Sequence, residues 1–232
     1  MDNGKIKLGY WKIRGRGQVI RHLLAYTQLP WEEKTYDQPG DWFAIGDKTK
    51  LGLDFPNLPY IMKGDFKLTE SNAIANYIVK LSGKSDLLGK SVEDTAQMEM
   101  VLFMLEDIFN PTVNMFYSPN YETEKVRLFD SKVKAKIEEL NKYIGEKEYL
   151  MGYLTLADFK IAEASYYFEK LYTDHVADFK KMIQIREKIE GLPEISKFYA
   201  EGGIKEPFLP QYAKLKYWSI DIIILKSSHY FV

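Results

Sequence analysis

Residues 5–20, Lys5-Ile-Lys-Leu-Gly-Tyr-Trp-Lys-Ile-Arg-Gly-Arg-Gly-Gln-Val-Ile20, decide the fold. Ile6, Leu8 and Tyr10 alternate with Lys5, Lys7 and Gly9, which is the period of a strand with one buried face. Gly15 and Gly17 then mark a turn, after which Val19, Ile20, Leu23, Leu24 and Thr27 recur at helical spacing. The segment reads strand, turn, helix.

Outward from this unit, Glu32 to Tyr36 supplies a second short strand, and Pro39-Gly40 opens an irregular loop that ends near Pro56. Pro59 to Met62 and Phe66 to Thr69 flank Lys63-Gly64-Asp65 as a hairpin. Ser71 heads a helix to about Leu81, with Ile74, Ala75, Ile78 and Leu81 on its apolar side. A β-α-β unit, a loop and a β-β-α unit make a compact α/β module. Its boundary falls at residue 82, with Ser82 to Gly89 as the linker. Beyond that, only helical patterns appear. Met98, Val101, Leu102, Leu105, Ile108 and Phe109 form one stripe, and Val126, Phe129, Val133, Ile137, Leu140 and Ile144 form another. Thr155-Leu-Ala-Asp158 has the form of a capping box for a helix to about Leu171, and further helices are predicted from Phe179 to Ile189 and from Pro193 to Ala200.

The chain has 232 residues, 46% hydrophobic and 28% charged, with a formal net charge of −1. This is a globular balance, and it makes neither nucleic acid nor an anionic membrane an expected partner. Cysteine is absent, which excludes a disulfide, a thiolate metal site and a cysteine nucleophile. The three histidines, His22, His175 and His229, are scattered singly. There is no Walker loop, no His-Glu-x-x-His and no Gly-x-Ser-x-Gly.

Three runs in order carry the functional signal: Leu8-Gly-Tyr-Trp-Lys-Ile-Arg-Gly-Arg16, Leu51-Gly-Leu-Asp-Phe-Pro-Asn-Leu-Pro-Tyr60 and Leu68-Thr-Glu-Ser-Asn-Ala-Ile74. Together they resemble the cytosolic glutathione transferases, closest to the mu class, with a similarity that extends to about Trp218. The resemblance implies an α+β fold: a thioredoxin-like N-terminal domain with a four-stranded mixed sheet (1–82), then an all-helical domain (90–218) that forms the electrophile site. It also implies a homodimer, no metal, and a reaction in which the thiolate of glutathione attacks a small apolar electrophile. Since the chain has no thiol, the sulfur arrives with glutathione.

The resemblance assigns Tyr10 as the catalytic tyrosine, its phenol donating to sulfur and favouring the charged form. Taken alone, a strand tyrosine packs in a core; the place of Tyr10 in Gly-Tyr-Trp before Arg-Gly-Arg favours the catalytic role. Arg16 departs from the mu pattern and resembles the alpha, pi and sigma classes, where the guanidinium helps hold the thiolate; a solvated arginine opening a helix is the competing reading. Asn57, Leu58 and Pro59 match the loop that holds the cysteinyl backbone of glutathione, with Leu58–Pro59 expected cis. Glu70 and Ser71 match the γ-glutamyl pocket, Ser71 at a helix N-terminus and Glu70 where mu relatives usually carry glutamine. Trp42 and Lys48 match a clamp on the glycyl carboxylate, at a spacing that looks more like the pi class. Trp11 divides its contacts between glutathione and the pocket, and Asp107 matches the acid that reaches the ammonium of glutathione across the dimer interface. Ile13, Tyr117 and Tyr212 line the electrophile pocket, where the Tyr117 hydroxyl donates to developing negative charge.

Two other readings share these motifs. Arg16 suggests a sigma-like isomerase of prostaglandin synthase type, and Glu70 suggests a non-catalytic ligand-binding or structural protein on the same fold. Residues 219–232 run past the usual mu terminus, and the alternation of Ile220, Ile222 and Ile224 suits a strand, a pocket lid or a dimer contact. The start does not resemble a signal peptide and no apolar run approaches about 20 residues, so the cytoplasm is the expected location.

Overall fold

Strand β1 (Ile6–Trp11) lies parallel to β2 (Trp31–Tyr36), with Ile6 opposite Trp31 and Tyr10 opposite Thr35, and helix α1 (Gly17–Thr27) forms the crossover between them. β3 (Tyr60–Lys63) pairs antiparallel with β1, and β4 (Phe66–Thr69) antiparallel with β3, so the sheet order is β2-β1-β3-β4. The computed structural model describes residues 4–43 and 46–205.

The alternation in β1 has the expected result: Ile6 and Leu8 are buried and Lys7 is exposed. Helix α3 (Ser71–Ser82) packs against α1, and Ile74, Ala75, Ile78 and Val79 join Val19, Ile20, Leu23 and Leu24 in one core. Each Val, Leu or Ile side chain among them contributes about 1.5–3 kcal/mol of burial. Leu81, expected on the buried side, is exposed because it lies in the last turn before the chain reverses at Gly83. Ser71 is the first helical residue rather than the cap; Glu70 holds the cap position without a capping bond. The irregular loop after β2 contains a single turn, α2 (Pro39–Trp42), and a 3-10 turn at Asp47–Thr49.

The linker includes a 3-10 turn, Ser85–Leu88, that buries Leu87. Then follow α4 (Val92–Met115), α5 (Tyr121–Leu128), α6 (Lys134–Ile144), α7 (Leu156–Leu171), α8 (Lys180–Glu190) and α9 (Pro193–Ala200). The single stripe expected from Val126 to Ile144 is interrupted by a π turn, Phe129–Val133. The wider turn rotates the helix face, so Phe129, Val133, Ile137, Leu140 and Ile144 are buried while Val126 is exposed. Both bonds of the Thr155–Asp158 capping box are present. They open α7, which is buried along most of its length and contacts α1, α4 and α8. Among the described residues, no helix is long and apolar enough to cross a membrane.

Candidate active site

Tyr10 is buried at the far end of β1, where the chain leaves the sheet and turns through residues 12–16 toward α1. That turn closes over the ring. The Arg16 N–H donates to Tyr10 Oη at 2.9 Å. Gly15 has φ +43°, and a Cβ there would stand 2.5 Å from Tyr10 Oη; a Cβ on Gly17 would stand 2.4 Å from Cδ1 of the ring. Glycine at both places is what lets the backbone wrap the phenol. Burial pushes the Tyr10 phenol up to about 12, opposed by the Arg16 N–H and by the Arg16 and Arg21 cations. The hydroxyl therefore keeps its proton at neutral pH and remains a donor.

The Arg16 side chain turns to α4, where it donates to Glu106 Oε2 at 3.4 Å and to Asn110 Oδ1. Glu106 also accepts from Lys160 of α7 at 3.3 Å, and the two cations hold its carboxyl below the ordinary range against the effect of burial. Tyr117, half-buried just after α4, is close enough to act on the acidity of Tyr10. Burial raises its own phenol.

Leu58–Pro59 is cis, as expected. Asn57 links the two motifs around it: its Oδ1 accepts the Leu58 N–H at 2.9 Å and its Nδ2 donates to Glu70 Oε1 at 3.2 Å. The Leu58 amide, in the loop that the resemblance assigns to the cysteinyl backbone, is thus engaged by its neighbour's side chain. Glu70 has φ +68°, an uncommon conformation for a residue with a side chain, and the buried Ser71 follows it.

Tyr10, Ile13, Trp42 and Leu58 share one apolar cluster with Tyr36, Leu53 and Tyr60. Trp42 is 2% exposed, stacked on Tyr60 at 6.0 Å and edge-on to Tyr36 at 5.5 Å. Trp11 packs between Tyr36 and Phe43. Lys48 Nζ lies 5.5 Å from the Phe43 ring. The turn carrying Lys48 is fastened by Asp47, which accepts from Tyr36 Oη at 2.7 Å and from the Lys34 ammonium. Asp107 is not among these neighbours. It is exposed on α4, on the same face as Met100 and Phe103. Tyr212 and residues 219–232 lie outside the described residues.

Residues 6–80 match the family model for the glutathione S-transferase N-terminal domain, and residues 106–202 match that for the C-terminal domain. The chain belongs to the glutathione S-transferase family. Glutathione S-transferase B of Cavia porcellus is 33% identical over 222 residues, which cover 91% of this chain and 98% of the relative. The class-mu 26 kDa glutathione S-transferase isozyme of Schistosoma mansoni is 35% identical over 193 residues, covering 83% and 87%. Among solved structures, rat hPGDS complexed with a quinoline superposes with a TM-score of 0.75 at 27% identity, covering 88% of this chain and 100% of that one. The glutathione S-transferase Blo t 8 superposes with a TM-score of 0.72 at 28% identity, covering 84% and 91%.

This glutathione S-transferase chain also has two buried arginines that sequence reasoning missed. Arg14, 2% exposed, donates to both carboxylate oxygens of Glu163 on α7, the shortest bond being 2.6 Å, and its guanidinium lies 3.9 Å from the centre of the Tyr166 ring. Arg21, fully buried, donates to Glu33 of β2 and to the carbonyls of Trp11, Ile13 and Arg14. Together they brace the turn that carries Tyr10's hydrogen-bond partner. The available signal was Glu163, a lone acid inside the run Ile161-Ala-Glu-Ala-Ser165.

Proposed function

We propose that this protein joins the thiolate of reduced glutathione to small apolar electrophiles, with the Tyr10 hydroxyl stabilising the sulfur. Glutathione loses its thiol proton to solvent, its sulfur forms the new bond to carbon, and the leaving group departs with its electron pair or, in an addition, the electrophile takes up a proton. The observation that carries this reading is the buried Tyr10 phenol, whose oxygen accepts the Arg16 N–H at 2.9 Å; burial favours its protonated form, which can donate to sulfur. Arg16 sits near enough to add positive potential there. Asn57, Leu58 and Pro59 are assigned to the cysteinyl backbone, Glu70 and Ser71 to the γ-glutamyl end, and Trp11, Trp42 and Lys48 to the glycyl side. Ile13, Tyr117 and Tyr212 are assigned to the electrophile. The glutathione half ends near residue 82 and the helical half begins near residue 90. A cytoplasmic detoxifying role without a metal accords with this chemistry, while isomerisation and non-catalytic carriage are not favoured. The purified protein with glutathione and an activated aryl halide tests the reading: conjugate formation well above the uncatalysed rate is expected, and its absence overturns it.

We also assign a homodimer. Met100 and Phe103, 53% and 67% exposed, share the face of α4 that carries Asp107, and Phe55 in the loop before β3 is 77% exposed. Such apolar exposure is what a partner surface would cover, and it would bring Asp107 to the glutathione of the other subunit. Sedimentation is expected to give a dimer that Phe103→Asp shifts to monomer; a monomeric wild type would contradict the assignment.

Two further outcomes follow from the site. Gly17→Ala places a methyl against the Tyr10 ring and is expected to lower kcat roughly 10- to 100-fold with the fold retained, checked by conjugation rate and circular dichroism. Asp47→Asn weakens the fastening of the Lys48 turn and is expected to raise the KM for glutathione several-fold with little change in kcat. Asp47 is held below the ordinary carboxylate range by the bonds from Lys34 and Tyr36. Its contribution is therefore full above that range and is lost as pH falls through the lowered value.

A further inference from the structure

The turn that reaches the Tyr10 hydroxyl is held from outside the sheet, by the helical half. Its three consecutive residues each have a tether there. Arg14 binds Glu163 of α7, the Gly15 N–H donates to Tyr167 Oη of α7 at 3.0 Å, and the Arg16 side chain binds Glu106 and Asn110 of α4. The middle tether acts most directly on the phenol, because the two N–H groups are adjacent: Gly15 donates to Tyr167, and Arg16 donates to Tyr10.

Tyr167 is itself fixed. It is 1% exposed and meets Phe109 of α4 edge-on, with ring centres 5.1 Å apart. Gly15 has little clearance, since a Cβ there would overlap Tyr10 Oη. A small rotation of the Gly15 peptide therefore moves the Arg16 N–H off the Tyr10 oxygen. Without that bond the Tyr10 O–H is less polarised and a weaker donor to sulfur.

We propose that Tyr167 is a positioning residue for Tyr10: by accepting the Gly15 N–H, it sets the turn whose next amide donates to the Tyr10 hydroxyl. The helical half thereby acts on glutathione activation as well as on the electrophile. The inference rests on the role of Tyr10 proposed above.

The test titrates the thiol of enzyme-bound glutathione by its ultraviolet thiolate absorbance in the wild type, Tyr167→Phe, Tyr10→Phe and the double variant. Tyr167→Phe keeps the ring against Phe109 and removes the acceptor. It is expected to raise the bound thiol's pKa by roughly half to one unit with unchanged glutathione affinity. In the Tyr10→Phe background it is expected to add nothing, which a merely structural role would not produce. A wild-type value in Tyr167→Phe, or a full additional rise in the double variant, overturns the proposal. A Tyr10→Phe value equal to wild type overturns the reading of Tyr10 itself, and this inference with it. If phenylalanine at 167 prevents folding, a ring-fluorinated tyrosine there supplies a weaker acceptor at the same place and is read in the same way, a wild-type value again overturning the proposal.

Discussion

Tyr10→Phe is expected to lower kcat/KM for conjugation roughly a hundredfold near neutral pH. The ring stays in its wrapping of Gly15 and Gly17 and loses only the oxygen. Two effects add. The sulfur loses its donor, so its acidity falls back toward the ordinary thiol value of about 8.5, and the Arg16 N–H, which donates to Tyr10 Oη at 2.9 Å, loses its acceptor. The first effect fixes the pH dependence. In the wild type the bound thiol is expected to ionise below the ordinary thiol value, and in the variant only as pH approaches that value, so the deficit is expected to narrow as pH rises. Parallel pH profiles of kcat/KM for the two proteins check this. A deficit independent of pH would mean that Tyr10 serves something other than thiol ionisation.

Glu163→Ala is expected to cause the largest loss of stability, roughly 3–5 kcal/mol. It removes the carboxylate that binds the Arg14 guanidinium most closely; among the described residues Tyr199 Oη, the Lys205 carbonyl and, at 3.8 Å, the partly exposed Glu190 carboxylate remain beside it. The penalty comes from a buried cation left with only a more distant carboxylate, not from the pair's own strength. Replacing both residues, as Arg14→Met with Glu163→Met, is accordingly expected to cost less than Glu163→Ala alone. Urea unfolding of the three proteins measures both. A single variant within about 1 kcal/mol of wild type would show that water reaches Arg14.

These two residues also mark how far the sequence could be read. The position of Tyr10, buried at the end of β1 under a glycine turn, was legible because a strand period and a turn signal converge on it, and each rests on residues close along the chain. The same holds for β1, α1, the hairpin and the capping box at Thr155, all of which are local patterns. Arg14 was not legible, since its partner lies 149 residues away and arginine next to a turn ordinarily faces solvent. Tyr167 looked like one more core aromatic, and only the tertiary contact to the Gly15 amide distinguishes it. The π turn at Phe129–Val133 escaped because the apolar spacing on either side of it remains helical, and one wider turn shifts the face without breaking the pattern. The engagement of the Leu58 amide by Asn57 depends on a side-chain rotamer, which no motif encodes.

Glutathione bound to this fold is expected to have a more acidic sulfur through Tyr10. The most direct measurement is the titration of wild-type-bound glutathione beside free glutathione under the same conditions. A bound thiol that ionises well below the free one is the predicted result. A bound thiol that ionises at the same pH as the free one, or no binding, would contradict this role of the site.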